Sequence, residues 1–191
     1  MLTARELSYG IFGAWRLARF DADAMRYFDT SVDGFWKSFY AAAIALPAFI
    51  IMTAFSLAKA ELPEHVGFLE VAVVEASGYV MSWVAFPLLM TVVSDVLQRG
   101  ERYLGYIVAL NWAQLLIVAV QLPAFLFVVA SGTEPGQPHP VTLIVLFIVS
   151  FYLWFVTKAA LQINGWAAGG VVIILFTVNS AIEIGCLLLL R

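Results

Sequence analysis

A chain of 191 residues that is 63% hydrophobic and 12% charged departs far from the roughly half-apolar, quarter-charged make-up of a soluble domain. So small a protein could not hide that much apolar surface from water, whereas a bilayer removes the need to. The net charge of −3 and the lack of a basic stripe speak against a nucleic-acid partner, and the single cysteine, Cys186, excludes an intramolecular disulfide.

The first 30 residues are charged throughout and lack a continuous apolar core, so no cleavable leader is expected and the first span should act as the insertion signal. Residues 4–28 predict one amphipathic helix. Leu7, Ile11, Trp15, Ala18, Ala22 and Met25 recur every three or four residues, and Arg16, Arg19, Asp23 and Arg26 fall opposite them. Arg19 and Asp23 are one turn apart and are expected to pair. Such a helix suits the headgroup region, and Trp15, Arg16, Arg19 and Arg26 form a candidate face for lipid or a partner. Deleting residues 1–28 should then leave insertion intact and weaken partner association. Thr30 with Asp33 predicts a capping box opening the first span.

Five apolar runs follow, each long enough to cross about 30 Å of hydrocarbon as a helix: residues 35–57, 71–93, 104–130, 141–161 and 166–190. The connection after span one contains Pro63. That after span two is charged, and that after span three carries Pro135, Pro138 and Pro140. Gln162 to Gly165 is a tight turn. Pro47, Pro87 and Pro123 lie within spans one to three and should kink them. Gly169-Gly170 would permit close helix approach.

Lys and Arg alternate in density across the loops. Arg5, Arg16, Arg19, Arg26, Lys37, Arg99, Arg102 and Lys158 fall on one side; Lys59 and Arg191 fall on the other. This bias predicts a cytoplasmic N-terminus and an external C-terminus. Trp36, Tyr40, Tyr103, Tyr106 and Trp166 would line the cytoplasmic interface.

Ionisable and amide groups inside spans are the candidate site. Glu183 and Asn179 share a face of span five, Glu75 lies near the outer end of span two, and Asn111, Gln114 and Gln121 share a face of span three. Glu183, Glu75, Gln121 and Asn179 could converge below the outer surface. One reading is a proton- or cation-coupled site with Glu183 titrating; the other is hydrogen-bond glue between helices. His65 and His139 are isolated in outer loops, and no metal is expected. Cys186, among leucines, reads as a small packing residue.

No phosphate loop, zinc signature or nucleophile elbow occurs, so neither catalysis nor a cofactor is expected. Lys158-Ala159-Ala160-Leu161-Gln162-Ile163-Asn164-Gly165-Trp166, followed by Ala167, Ala168 and Gly169, together with Gly105-Tyr106, resembles the bacterial relatives of the Yip (Ypt-interacting protein) family. The chain lacks the acidic-Leu-Tyr-Gly-Pro signature of eukaryotic members and with it the expectation of a trafficking role. Phe28 to Phe39 is also similar to small uncharacterised membrane proteins of alphaproteobacteria. The resemblance implies five spans and a role as membrane scaffold or partner, with no catalytic residues to carry over.

The expectation is an all-α integral membrane protein. An interfacial segment, 1–34, precedes a five-helix membrane domain, 35–191, in a bacterial inner membrane with the N-terminus cytoplasmic and the C-terminus periplasmic. The leading role is a non-enzymatic accessory, scaffold or assembly component whose partners are the bilayer and other membrane proteins or copies of itself. The alternative is a small transporter or channel subunit with an intramembrane acidic site.

Overall fold

A computed structural model describes residues 2–58, 66–133 and 137–190. Lys59, Pro63, His65, Pro135 and Arg191 lie outside the described residues. Seven α-helices and two short 3-10 segments make up the rest, with no strand among them. They are α1 (Ala4–Ala18), a 3-10 segment (Ala22–Tyr27), α2 (Val32–Ser38), α3 (Tyr40–Leu57), α4 (Phe68–Val96), a 3-10 turn (Gly100–Arg102), α5 (Tyr103–Ala130), α6 (Pro140–Leu161) and α7 (Gly165–Leu189). Five helices are long and apolar enough to cross a membrane, with α2 and α3 together forming the first.

The N-terminal region departs from the single helix expected over 4–28. The helix ends at Ala18, and Phe20 takes a left-handed conformation at φ 60°. That conformation is unusual for a bulky residue. It turns the Phe20 ring onto Phe151 and Phe155, with centroids 5.3 and 5.2 Å away. The break separates Arg19 from Asp23, and no ion pair joins them. Arg16 instead pairs with Asp21 across the turn and donates to the Tyr27 hydroxyl at 2.8 Å. A true capping box occurs earlier than expected, where Thr3 and Glu6 cap α1 reciprocally. The cap of α2 is Ser31 rather than Thr30, its hydroxyl accepting from the Gly34 amide at 3.1 Å.

The buried face of α1 is Gly10, Gly13, Ala14 and Leu17, while Ile11 and Trp15 are exposed. Small residues win the inner face because α1 packs closely. A Cβ at Gly10 would collide with the Trp112 ring, and one at Gly13 would meet the Phe28 ring at 2.8 Å. The Tyr152 hydroxyl donates to the Ala14 carbonyl at 2.9 Å. Lys37 clamps the start of α1 by donating to Glu6 at 2.7 Å, and it also pairs with Asp33 at 2.6 Å. Thus α1, the 3-10 segment and α2 form a collar around one end of the bundle.

That collar explains two further features. Every residue of α5 from Gly105 to Ala113 is buried, which requires neighbours on all sides of the helix. Span one is also interrupted at Phe39, between α2 and α3. At 18 residues, α3 is about 27 Å long and matches the hydrocarbon thickness by itself, so α2 is free to pack on α5 within the collar.

Beyond the collar, the long helices form an arc in the order α3, α5, α6, α7, α4, each packed on the next. Trp154 Nε1 donates to the Gly165 carbonyl at 2.8 Å and Asn164 caps α7, which fixes the expected tight turn between α6 and α7. The ends of the arc, α3 and α4, barely pack. Tyr79 bridges them, donating to the Ala42 carbonyl at 2.6 Å and laying its ring 4.5 Å from that of Phe49.

The expected close approach at Gly169-Gly170 is absent, since a Cβ at either would meet nothing within 4 Å. The close approach is at Gly78 instead, where a Cβ would lie 2.6 Å from the Cys186 sulfur. The interfacial aromatics divide likewise. Trp36, Tyr40 and Trp166 are exposed, whereas Tyr106 is fully buried against Thr157, 3.2 Å between hydroxyls. Tyr103 donates to the Pro87 carbonyl at 3.1 Å.

Candidate functional site: a polar cavity inside the helix arc

The arc encloses a partly open cavity of about 490 Å³. All five long helices line it: α3 through Ala45, Phe49 and Met52; α4 through Tyr79, Ser82, Trp83 and Phe86; α6 through Val149 and Leu153; α5 and α7 through the polar residues. Of the six intramembrane candidates, Asn111, Gln114, Gln121, Asn179 and Glu183 line this space and Glu75 does not. Glu75 lies instead on α4, the helix that packs on α7, which carries Glu183. It sits one turn before Gly78 on α4, beside the tight seam with Cys186 on α7. The Cys186 thiol points at the Val74 carbonyl, 3.8 Å away.

The geometry sorts these residues by whether the protein already satisfies them. Asn111 is 3% exposed, and its Nδ2 donates to the Ser38 hydroxyl at 2.8 Å. Ser38 passes the chain on to the Phe35 carbonyl at 2.7 Å. Asn111 therefore joins α5 to the α2–α3 break, as glue does. Asn179 donates back to its own helix, to the Leu175 carbonyl at 3.0 Å. Gln114, Gln121 and Glu183 have no hydrogen-bond partner among the described residues. Gln114 and Gln121 are half-buried and Glu183 is exposed, so their polar atoms are accessible rather than sealed in the packed interior.

The lining contains no Lys, Arg or His, and its one carboxyl group is that of Glu183. Phe49, Tyr79, Trp83, Phe86 and Phe176 add an aromatic wall. Sequence reasoning missed this wall because aromatic residues in an apolar span carry no periodicity that separates cavity from lipid.

No group of three or more His, Cys, Asp or Glu side chains among the described residues could hold a metal ion. His139 is used structurally, its Nδ1 accepting from the Val141 amide at the start of α6. The residues of the expected partner face on the N-terminal helix differ in their surroundings. Trp15 and Arg19 are exposed, Arg16 is held by Asp21 and Tyr27, and Arg26 lies over the Tyr27 ring.

Comparisons with protein-family models, with curated proteins and with solved structures give no match for this chain.

Proposed function

We propose that this protein is a small, non-enzymatic transporter or channel subunit of the bacterial inner membrane, organised around the polar cavity. The observation that carries this reading is the gathering of Gln114, Gln121 and Glu183, unpaired, in one space inside otherwise apolar helices. Such groups are expensive in hydrocarbon unless a ligand path uses them. In this reading Glu183 exchanges the coupling proton or cation, and Glu75 supplies a second carboxyl from the adjoining helix α4.

The collar end carries Arg5, Arg16, Arg19, Arg26, Lys37, Arg99, Arg102 and Lys158, and by the positive-inside rule this supports a cytoplasmic collar and a periplasmic C-terminus. Exposed Ile11, Phe12, Trp15 and Phe20 support an interfacial position for the collar.

The test is reconstitution in liposomes under an imposed membrane potential, with a pH-sensitive dye inside. Cation or proton entry above that of empty liposomes is expected, and it should be lost in Glu183→Gln without loss of the folded protein. Absence of flux in the unsubstituted protein, or equal flux in the variant, rejects the reading.

A second reading, an accessory or assembly subunit, draws on the weakly packed edge between α3 and α4, where a partner helix could complete the arc. A mild-detergent pull-down from native membranes with quantitative mass spectrometry separates the two. A near-stoichiometric membrane partner favours the accessory role, and self-association alone favours transport.

A further inference from the structure

We propose that the cavity binds a lipid-soluble organic cation that enters from the bilayer between α3 and α4. This rests on the reading of the cavity as a ligand site and names the ligand class.

Charge is the first argument. The cavity lining offers a carboxylate, Glu183, and no Lys, Arg or His, and Glu75 adds a second carboxylate on α4, the helix packed against α7. A positively charged occupant is attracted to a carboxylate in a low-dielectric space, and an anion is repelled by it.

The walls give the second argument. The negative π faces of aromatic rings attract cations, organic ones included, and here Phe49, Tyr79, Trp83, Phe86 and Phe176 surround the space. Asn111, 3% exposed, spends its Nδ2 on Ser38. Its Oδ1 has no partner among the described residues, so what it offers the cavity is an acceptor.

Size and route complete the case. A volume of about 490 Å³ falls within the range of small organic ligand sites, roughly 300–1,000 Å³, and is far larger than a bare ion needs. The arc is weakest between α3 and α4, which Tyr79 bridges by its hydroxyl and ring. That edge lies along the length of two membrane helices, so it opens to lipid. A ligand using it must already partition into the bilayer, as a delocalised cation with an apolar body does.

The experiment uses the full chain in lipid nanodiscs and two probes of matched shape and opposite charge, tetraphenylphosphonium and tetraphenylborate. Saturable binding is measured by equilibrium dialysis, with empty nanodiscs subtracted. We expect saturable binding of the phosphonium and none of the borate. We also expect about a tenfold or greater weakening in Glu183→Gln, a smaller one in Glu75→Gln, and loss of binding in the cavity-filling Ala45→Phe. The charge contrast is read on the unsubstituted protein, so it survives misfolding of any variant. Equal saturable binding of both probes, lost in Ala45→Phe, would overturn the cation assignment and leave the cavity a ligand site. No saturable binding of either probe would overturn the proposal, while the flux assay would still decide the broader reading. Phosphonium binding unchanged in both Gln variants would overturn the role given to the carboxylates.

Discussion

Helix α5 passes through two environments. From Gly105 to Ala113 every residue is buried under the collar and the neighbouring helices, whereas from Gln114 to Ala130 only Ile117 and Val128 are. The polar groups follow the same division. In and beside the collar they are paired across helices: Asn111 with Ser38, Tyr106 with Thr157, Tyr152 with the Ala14 carbonyl. In the cavity half, Gln114, Gln121 and Glu183 face open space. Polar residues in similar helices thus fall into two sets, and pairing tells them apart: a satisfied group holds helices together, and in the proposed reading an unsatisfied one meets water or a ligand.

The largest effect should come from breaking the collar. Gly10→Leu drives a side chain into Trp112, and such overpacking costs about 1–3 kcal/mol or more. The apparent melting temperature in detergent should fall clearly, while Gly169→Leu, with open space at its Cβ, should leave it unchanged. Equal behaviour of the two would break the contrast between a packed collar and the open face of α7 at Gly169. Removing residues 2–30 should be worse still. Because α1 covers Trp112 and Tyr152, that truncation should yield aggregated protein by gel filtration rather than an intact bundle lacking a docking helix.

A smaller effect sharpens the distinction between glue and site. Asn111→Leu should cost about 1 kcal/mol through loss of the bond to Ser38. Gln121→Leu should be neutral or stabilising, since it removes an unpaired amide. Chemical-denaturant titrations of the two variants in the same detergent compare them directly. A larger loss for Gln121→Leu would show that the cavity amides are structural.

The smallest effect concerns the clamp that holds the collar shut. A hydrogen bond from Lys37, then those from Thr3, hold the Glu6 carboxyl down at about 2, against 4.5 for a free glutamate. A carboxyl depressed in the folded state stabilises it fully above the unfolded value. That contribution is lost as pH falls from about 4.5 towards 2. Hydrogen exchange of α1 amides, corrected for intrinsic rates, should therefore accelerate relative to α7 over this window. Glu6→Gln should flatten the difference, and a Glu6→Gln profile that still tracks pH would assign the change to another group.

Much of the fold was legible in the sequence because a bilayer makes simple demands. Backbone groups in hydrocarbon must pair within the segment, so apolar runs of sufficient length become helices, and all five appear close to the expected bounds. The errors fall where local pattern competes with packing. The 3.6-residue periodicity runs on past Ala18, but Phe20 finds a better place against Phe151 and Phe155 in a left-handed turn. The apparent apolar stripe of α1 is partly exposed, because a helix crossing another at close range presents glycine and alanine.

The sequence by itself determined the number of membrane helices, the side on which positive charge accumulates, and which polar residues occupy apolar spans. Each depends on composition along a short stretch of chain. Only the tertiary structure decided which of those polar residues are spent on one another and which remain open. It also decided that the arc is weakly packed between α3 and α4, and that Glu183 lines the cavity while Glu75 does not. The physical reason is that hydrogen-bond satisfaction and cavity volume are properties of several helices at once. They depend on the rotation and spacing of each helix against its neighbours, which side chains more than 100 positions apart fix together.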